Sequence, residues 1–307
     1  MPNSRPRICV VGSSNIDLTF RTSRLPRPGE TLAGQAFQLG YGGKGANQAV
    51  MAARLGAQVT MISRVGRDVF GEGTLRNFRE NGIDTTHVRT DEDRHSGVAS
   101  IVVDDAAQNC IIVAAGANAA LSPQDVREAA PAIQSADIVL CQLEVPVETV
   151  IETFRLGRSA QKILNPAPAQ RLPSELLQVT DICVPNETEL ERLTDRTLQS
   201  LEDIEQAARL LLRSGPQTVI VTVGARGALI ANSDGAELIP GPAVKAIDTT
   251  GAGDAFIGSL AVFLAEGERL VEAVRLANAA AALSVTRLGT QASFPTRMEV
   301  DALSKFV

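Results

Sequence analysis

The 307-residue chain has no tryptophan, one tyrosine and two histidines. His87 and His95 lack the spacing of metal ligands, so a structural zinc site is not expected. The four cysteines, at positions 9, 110, 141 and 183, lie apart in apolar strand-like runs and form no C-x-x-C pair. We interpret them as reduced residues of a cytoplasmic protein rather than as a disulfide framework.

Long apolar runs and an excess of basic charge are also missing. Every long apolar run is interrupted by glycine, asparagine or a charged residue well short of a membrane span, so no membrane segment is predicted. Residues 1–7 are polar and basic, which does not fit a secretory signal. The net charge of −6 argues against nucleic acid as a partner. With 44% hydrophobic and 21% charged residues, the chain is globular and long enough for a full-sized core.

Short apolar runs alternate with helical stretches over most of the chain. This pattern predicts an α/β fold: a doubly wound, mostly parallel sheet flanked by helices, in one domain over 1–307. The predicted strands at 8–12, 137–142, 162–164, 181–184 and 218–223 each end in polar or glycine residues. Because ligands bind at the carboxyl ends of such strands, a shared cleft is expected there.

Two β-rich runs, 98–103 and 110–113, flank a polar turn and predict a hairpin. With the preceding region, where 31–39 is predicted to be a strand, they would form a small separate β sheet, a lid of about 17–40 and 97–114 over the site. Its exposed face would favour dimerisation. The pattern leaves the alternative equally open, that the two runs are further strands of the main sheet.

The run Asp248-Thr249-Thr250-Gly251-Ala252-Gly253-Asp254 precedes an apolar helix predicted over 255–264. Glycines let the backbone approach a ligand closely, and the unpaired amides at a helix start form an anion site. Asp254 is then either the N-cap of the helix or a base beside a phosphate. We favour the base, because capping alone does not require two glycines, two threonines and a second aspartate.

Two stretches that follow predicted strands offer polar groups to a small ligand. Asn15 and Asp17 are two apart, so in an extended segment they point the same way and would hold a polyol; an Asx turn is an equal alternative. Residues 40–45 match G-x-G-x-x-G, but the next predicted strand, 58–65, does not end on the acid that holds a nicotinamide ribose. Gly45 follows Lys44 where a Walker A loop needs Ser or Thr. We therefore predict a glycine-lined wall, with Lys44 and Asn47 as donors, and not a dehydrogenase.

Three further features have both a functional and a structural interpretation. Asn186-x-x-Glu189 opens a predicted helix; Glu189 would hold magnesium through water, or the pair is a capping box. Residues 222–227 would pass close to a nucleotide. Asn278, within the alanine-rich stretch 277–282, would line an adenine slot, although helix packing is the preferred interpretation of that stretch alone.

Taken together, these residues resemble the ribokinase-type (PfkB) sugar kinases over nearly the whole chain. The family signatures are Gly-Gly-Lys-Gly-Ala-Asn at 42–47 and the run 248–254; further matches lie at 12–17, 115–123, 142–144, 164–169, 185–189 and 285–287. The resemblance implies a parallel-sheet α/β domain with a β lid, homodimers that pair through their lids, and ATP-dependent phosphorylation of D-ribose at its 5-hydroxyl.

The resemblance also implies roles for individual residues. The sugar would be bound by Asn15, Ile16, Asp17, Gly43, Lys44, Gly45, Ala46, Asn47, Glu144 and Asp254. Asp254 would be the catalytic base, beside an anion hole formed by Gly251, Ala252 and Gly253. ATP would be lined by Asn186, Thr222, Val223, Gly224, Ala225, Arg226, Gly227, Gly253, Asp254 and Asn278. Glu189 would place Mg²⁺ indirectly, and K⁺ would be held by Asp248, Thr250, Ser284, Arg287, Gly289 and Ser293, several of them through backbone carbonyls.

Other functions compete with this interpretation. A kinase of the same family would act on deoxyribose, another pentose or a nucleoside; a nucleoside needs a stacking surface, which one tyrosine and no tryptophan disfavour. A non-catalytic sugar- or nucleotide-binding protein on the same fold is disfavoured by the presence of Asp254 together with the Gly-Ala-Gly turn.

Overall fold

The computed structural model describes residues 5–106 and 108–305. Residue 107, in the predicted lid turn, and the two ends of the predicted 1–307 domain lie outside the described residues. The described strands are β1 (Arg7–Val11), β2 (Asn15–Arg21), β3 (Ala36–Gly42), β4 (Gln58–Gly66), β5 (Asp84–Asp91), β6 (Gly97–Val103), β7 (Asn109–Ala114), β8 (Ile138–Cys141), β9 (Gln161–Leu164), β10 (Ile182–Cys183), β11 (Thr218–Thr222), β12 (Ala228–Asn232) and β13 (Gly235–Ile239).

Eleven α-helices accompany these strands in the described part of the chain. They are α1 (Lys44–Arg54), α2 (Val69–Glu80), α3 (Pro123–Glu128), α4 (Ala130–Ser135), α5 (Val147–Leu156), α6 (Ser174–Gln178), α7 (Glu187–Thr194), α8 (Leu201–Leu212), α9 (Ala252–Ala265), α10 (Leu270–Ser284) and α11 (Arg297–Ser304). None of these helices combines the length and the apolar character that a membrane crossing requires.

Nine strands form the main sheet, in the order β13-β12-β11-β10-β9-β8-β1-β4-β5. The pairings from β5 to β11 are parallel, and β12 and β13 add an antiparallel edge. Helices α1, α2, α9, α10 and α11 pack on one face and α3–α8 on the other. The predicted doubly wound fold is therefore confirmed.

Strand β1 shows why this sheet appears in the sequence as continuous apolar runs. Ile8 and Val10 pack in the core on one face, whereas Cys9 and Val11 pack in the core on the other. A strand that is covered on both faces has no solvent side for polar residues, so its apolar residues do not alternate with polar ones.

The lid runs form a second, four-stranded sheet in the order β3-β2-β6-β7. Strand β2 pairs parallel to β6 and antiparallel to β3, and β6 pairs antiparallel to β7. The separate small sheet is thus confirmed over the main-sheet alternative. The predicted strand at 31–39 is displaced: β3 starts at Ala36 because β2 ends at Arg21, its pairing partner, so earlier residues have no strand to pair with.

Candidate active site

The carboxyl ends of the main-sheet strands open into a cavity of about 170 Å³ beside the start of α9. The cavity is lined by Lys44, Asn165, Val184, Asn186, Glu189, Thr222, Thr249, Gly251, Ala252, Gly253, Asp254 and Ile257. It brings together predicted residues from four separate stretches of sequence. The prediction missed Asn165, Val184, Thr249 and Ile257, although Asn165 directly follows β9 and Val184 directly follows β10, which was the available signal.

Helix α9 begins three residues earlier than predicted, so Asp254 is not its N-cap. Gly251 is the N-cap, in the left-handed region at φ 78°, and Asp254 is the third residue of the helix. The amide of Ala252 donates to the carbonyl of Thr249 at 3.2 Å. Of the predicted anion hole, the amides of Gly251 and Gly253 have no acceptor among the described residues, which leaves them for an anion.

Asp254 is only 7% exposed, and its carboxylate accepts two side-chain hydrogen bonds. The Nδ2 amide of Asn47 donates to Oδ2 at 2.8 Å, and the Nε2 amide of Gln48 donates to Oδ1 at 2.9 Å. Burial raises the pKa of Asp254, while Lys44 and the two amides oppose this rise. Gln48 was not among the predicted site residues.

Lys44 lies among carboxylates at the start of α1. Burial disfavours its charge, but the carboxylates of Asp254, Glu144 and Glu189 outweigh burial, and the pKa of Lys44 is raised. The side chain is therefore a cation at neutral pH, inside the cavity where a phosphate would need one.

Asp17, at the base of the small sheet, belongs to the same electrostatic group. Burial, with the nearby charges of Glu144 and Asp254, raises the pKa of Asp17 to about 7. Its carboxylate lies across Gly42, where a β-carbon would be 2.3 Å from Oδ2. Glycine at position 42 is thus required for the position of the carboxylate.

Glu144 connects the predicted sugar-binding segments. Its Oε2 accepts the hydroxyl of Ser13 at 2.5 Å and the backbone amide of Lys44 at 3.0 Å. Gly45 lies against the backbone of Gly12, where a β-carbon would be 2.7 Å from the carbonyl carbon. The glycine-rich segment 42–47 therefore packs directly against the end of β1.

Asn15 is positioned by Asn118, which the predicted site did not include. The Nδ2 amide of Asn118 donates to Oδ1 of Asn15 at 2.8 Å, and Oδ1 of Asn118 accepts the amide of Ser14 at 3.0 Å. Asn15 and Ile16 are both buried where β2 leaves the main body for the small sheet.

Asn186 and Glu189 form a reciprocal capping box at the start of α7. Oδ1 of Asn186 accepts the amide of Glu189 at 2.8 Å, and Oε2 of Glu189 accepts the amide of Asn186 at 2.9 Å. The two side chains therefore form the capping box that their spacing allows. The second carboxylate oxygen of Glu189 has no hydrogen-bond partner among the described residues, and burial, the largest influence, raises the pKa of this group.

Among the predicted ATP-binding residues not yet described, Thr222 lines the cavity and the others lie outside it. The segment from Val223 to Gly227 leaves β11 in a short 3₁₀ turn, and the guanidinium of Arg226 pairs with Glu187 at 2.5 Å. Asn278 is buried and donates to the carbonyl of Ile239 at 3.0 Å. This contact fits the packing interpretation of Asn278.

Asp248 connects the two loops that contain the predicted K⁺ ligands, apart from Ser284, which is the last residue of α10. Its Oδ2 accepts the amide of Gly289 at 2.9 Å, and its Oδ1 accepts the amide of Thr250 at 3.0 Å. The hydroxyl of Ser293 donates to the carbonyl of Thr290 at 2.8 Å and that of Ser284 to the carbonyl of Ala281 at 2.8 Å, while Arg287 forms an ion pair with Glu299. The described residues contain no cluster of three or more acidic, histidine or cysteine side chains suited to a metal.

A larger cavity, of about 630 Å³, lies elsewhere, between α6, the end of α7 and the end of α8. It shares no lining residue with the cavity at Asp254. Size alone would select it, but the carboxylates, the lysine and the unpaired helix-start amides converge at the smaller one, which is therefore the candidate active site.

The chain is similar to known proteins in family, in sequence and in structure. The model of the pfkB family carbohydrate kinases matches residues 5–297. A ribokinase of Haemophilus influenzae is 43% identical over 297 residues, covering 96% of this chain and 97% of its own length. A deoxyribokinase of Salmonella typhi is also 43% identical, over 94% of this chain and 95% of its own. The structure of Arabidopsis thaliana ribokinase complexed with ribose and ATP superposes with a TM-score of 0.91 at 33% identity, covering 99% of this chain and all of that one.

Proposed function

The chain belongs to the pfkB family of carbohydrate kinases, and we propose that it transfers the γ-phosphoryl group of ATP to O5 of D-ribose, giving D-ribose 5-phosphate and ADP. One observation carries this proposal: a buried carboxylate, Asp254, lies in the first turn of a helix where the amides of Gly251 and Gly253 have no acceptor among the described residues, in a cavity with a lysine. That arrangement places a proton acceptor next to a site for a transferring phosphoryl group.

Phosphoryl transfer depends on alignment and charge stabilisation more than on covalent chemistry. Asp254 takes the proton from the attacking sugar hydroxyl. The amides of Gly251 and Gly253 and the ammonium of Lys44 stabilise the charge that develops on the transferred group. We assign these roles because all four residues line the cavity.

ATP would extend from this cavity towards Asn186 and Thr222, which a backbone bridge joins. The segment from Val223 to Gly227 and Asn278 would border its outer part. A divalent ion such as Mg²⁺ fits the donor set: one carboxylate oxygen of Glu189 has no protein partner, and Mg²⁺ is usually held by phosphates, water and few side chains. When bound, it neutralises charge on the phosphates.

A monovalent cation, K⁺, fits the two loops joined by Asp248. The candidate ligands are oxygens of Asp248, Thr250, Ser284, Arg287, Gly289 and Ser293, mostly from the backbone. These loops adjoin the start of α9, since the amide of Ala252 already bonds to Thr249. A cation there would hold the turn at Gly251 in shape.

The sugar would lie between the small sheet and the glycine wall. Asn15, Asp17 and Glu144 offer oxygens to its hydroxyls, and Gly43 to Asn47 form the facing wall. A specific observation keeps deoxyribose as a second candidate: the deoxyribokinase relative is as similar to this chain, at 43%, as the ribokinase relative. The two activities differ only in whether a 2-hydroxyl must be bound.

The outer face of the small sheet would be the dimer interface. Its exposed apolar residues are Phe20, Phe37, Leu39 and Ile112, which the strand register places on the face opposite Asp17. An apolar patch of this kind on a small sheet is typical of a protein-protein contact. A second copy of the sheet would cover it and hold both small sheets over their sites. Free cysteines and the use of ATP favour a cytoplasmic location.

The decisive experiment measures ADP release with ATP and Mg²⁺ over a panel of D-ribose, 2-deoxyribose, other pentoses and adenosine, with and without K⁺. We expect the highest kcat/KM with D-ribose. A higher kcat/KM with 2-deoxyribose would transfer the assignment to that sugar. Tight ribose binding by calorimetry without ADP release would instead indicate a sugar-binding protein.

A further inference from the structure

Two chains of side-chain amides, all buried except the half-buried Asn77, end on the two carboxylate oxygens of Asp254. In the first chain, Nε2 of Gln142 donates to Oε1 of Gln48 at 2.6 Å, and Nε2 of Gln48 donates to Oδ1 of Asp254 at 2.9 Å. Both glutamines are completely buried. They come from the segment after β8 and from α1, so the chain crosses from the sheet to the helix layer.

The second chain arrives from the opposite side. Nδ2 of Asn77 donates to Oε1 of Gln291 at 2.9 Å, and Nε2 of Gln291 donates to Oδ1 of Asn47 at 3.0 Å. Nδ2 of Asn47 then donates to Oδ2 of Asp254 at 2.8 Å. Gln291 lies in the loop between Gly289 and Ser293, so this chain also connects the candidate cation loop to Asp254.

The direction of both chains follows from the carboxylate. An ionised carboxylate only accepts, so Gln48 and Asn47 must turn their NH₂ groups towards Asp254 and their oxygens away. Each oxygen then needs a donor, which Gln142 and Gln291 supply. Every amide in the two chains is therefore oriented with its positive end towards Asp254, and a reversed amide would oppose oxygen to oxygen.

The orientation of Gln142 lowers the stability of the fold, and packing does not explain why this residue is a glutamine. Oε1 of Gln142 is buried and has no hydrogen-bond partner among the described residues. It lies against Gly12, where a β-carbon would be 2.1 Å away. A buried polar atom without a partner destabilises a fold, so an apolar side chain at position 142 would suit stability better. The glutamine at position 142 is instead explained by the hydrogen bond that its Nε2 amide donates to Gln48.

We propose that Gln48, supported by Gln142, and Asn47, supported by Gln291, are positioning residues that keep Asp254 ionised and aimed at the sugar hydroxyl. The inference rests on the proposed role of Asp254 as base. The other charged groups that act on Asp254 are Lys44 on α1, Glu144 after β8, Asp17 on β2 and Glu189 on α7. Lys44 alone would act without orienting the carboxylate, since an ammonium is a point charge on a flexible stem.

The test is Gln48→Met, which keeps the length of the side chain and removes its donor. We expect the acid limb of the kcat/KM profile for ribose to move up by about one pH unit, the effect of losing one hydrogen bond to a charged group. We expect kcat to fall about tenfold with little change in ribose KM. Thr153→Val is the control: it removes the buried bond from Thr153 Oγ1 to the carbonyl of Thr149, on the face of the main sheet opposite α9, and should lower the melting temperature without moving the limb.

A second readout does not depend on turnover. With ¹³C-labelled aspartate carboxyls, the Asp254 signal is assigned by its loss in Asp254→Asn, and its titration midpoint should rise in Gln48→Met. An unmoved midpoint together with an unmoved acid limb would overturn the positioning role. If Gln48→Met does not fold, Gln291→Met on the other chain must produce a shift of the same sign, and no shift there overturns the proposal equally.

These results distinguish a failure of the proposed catalytic base from a failure of the positioning role alone. If Asp254→Asn retains near-normal turnover, the proposed base is wrong. If Asp254→Asn loses turnover while Gln48→Met leaves both the limb and the midpoint in place, the base stands and only the positioning role fails.

Discussion

The carboxylate of Asp17 lies across the backbone of Gly42 on the neighbouring strand, where a β-carbon would be 2.3 Å from Oδ2. The two residues are diagonal neighbours, because Asp17 pairs with Gly40 and Asn15 pairs with Gly42. A residue without a side chain is therefore what allows this half-buried acidic group to stay in place in the proposed sugar site.

Gly42→Ala should displace this carboxylate without unfolding the protein, because the atoms that clash belong to the end of a side chain. We expect kcat/KM for ribose to fall about ten- to hundredfold through misplacement of a binding group, with little change in melting temperature. Gly34→Ala is the control, since its β-carbon would meet only the carbonyl of Arg21, at 3.7 Å. Gly45→Ala should behave oppositely and lower the melting temperature, because there the clash is with the backbone of Gly12.

Asp17→Asn should stabilise the protein at alkaline pH and weaken ribose binding. Burial and the charges of Glu144 and Asp254 raise the pKa of Asp17 to about 7. The folded state thus binds this proton more tightly than the unfolded state, so the Asp17 contribution lowers wild-type stability as pH rises from about 4 to about 7. Asp17→Asn does not lose stability in this way, because asparagine does not ionise.

The measurement is the melting temperature of both proteins across this pH range. The difference in favour of Asp17→Asn should be near zero at about pH 4, where both side chains are neutral, and a few degrees at about pH 8. A difference that is the same at both ends would contradict a raised pKa. Ribose KM should rise in the variant, since an acceptor for sugar hydroxyls is replaced in part by a donor.

Asp254→Asn should retain ribose and ATP binding and lose about 10²- to 10⁴-fold in kcat, the usual contribution of a general base. Calorimetry measures the two affinities and ADP release measures kcat. Glu268→Gln, an exposed carboxylate after α9, should leave kcat unchanged. Unchanged kcat in Asp254→Asn would remove the proposed role.

Replacing K⁺ by a larger organic cation should lower the wild-type rate severalfold if the loops at Asp248 hold a monovalent ion. Asp248→Asn should abolish this dependence, because the amide NH₂ must face one of the two backbone amides that the carboxylate accepts, from Thr250 or from Gly289. The rates are measured at constant ionic strength with saturating ATP and Mg²⁺. Equal wild-type rates with and without K⁺ would refute the cation site.

Ile112→Glu should weaken the proposed dimer on the order of a hundredfold in Kd, because a carboxylate would be buried without a partner in an apolar contact. Ile112 is 69% exposed on β7. Met298→Glu is the control, at an apolar residue on α11 that is also highly exposed, at 78%. In sedimentation velocity, Ile112→Glu should be a monomer, whereas Met298→Glu and the wild type should be dimers. A monomeric wild type would refute the proposed interface.

Much of the molecule was predictable from local sequence. The main-sheet strands appear as unbroken apolar runs because helices cover both faces, as Cys9 and Val10 show on opposite sides of β1. The polar residues that follow those runs identified the edge of the sheet where the cavity lies. The capping box of Asn186 and Glu189 was also legible, because it is formed by residues three apart.

The contacts between distant segments were determined only by the tertiary structure. The parallel pairing of β2 with β6 separates the small sheet from the main one, and no local pattern distinguishes that pairing from another. The first turn of α9 includes Asp254 because Gly251 caps the helix in a left-handed conformation. Gln48 and Asp254 are 206 residues apart, and only folding turns one amide towards that carboxylate. Local sequence determines which segments are strands and helices, whereas the partners of buried polar groups depend on how those segments pack.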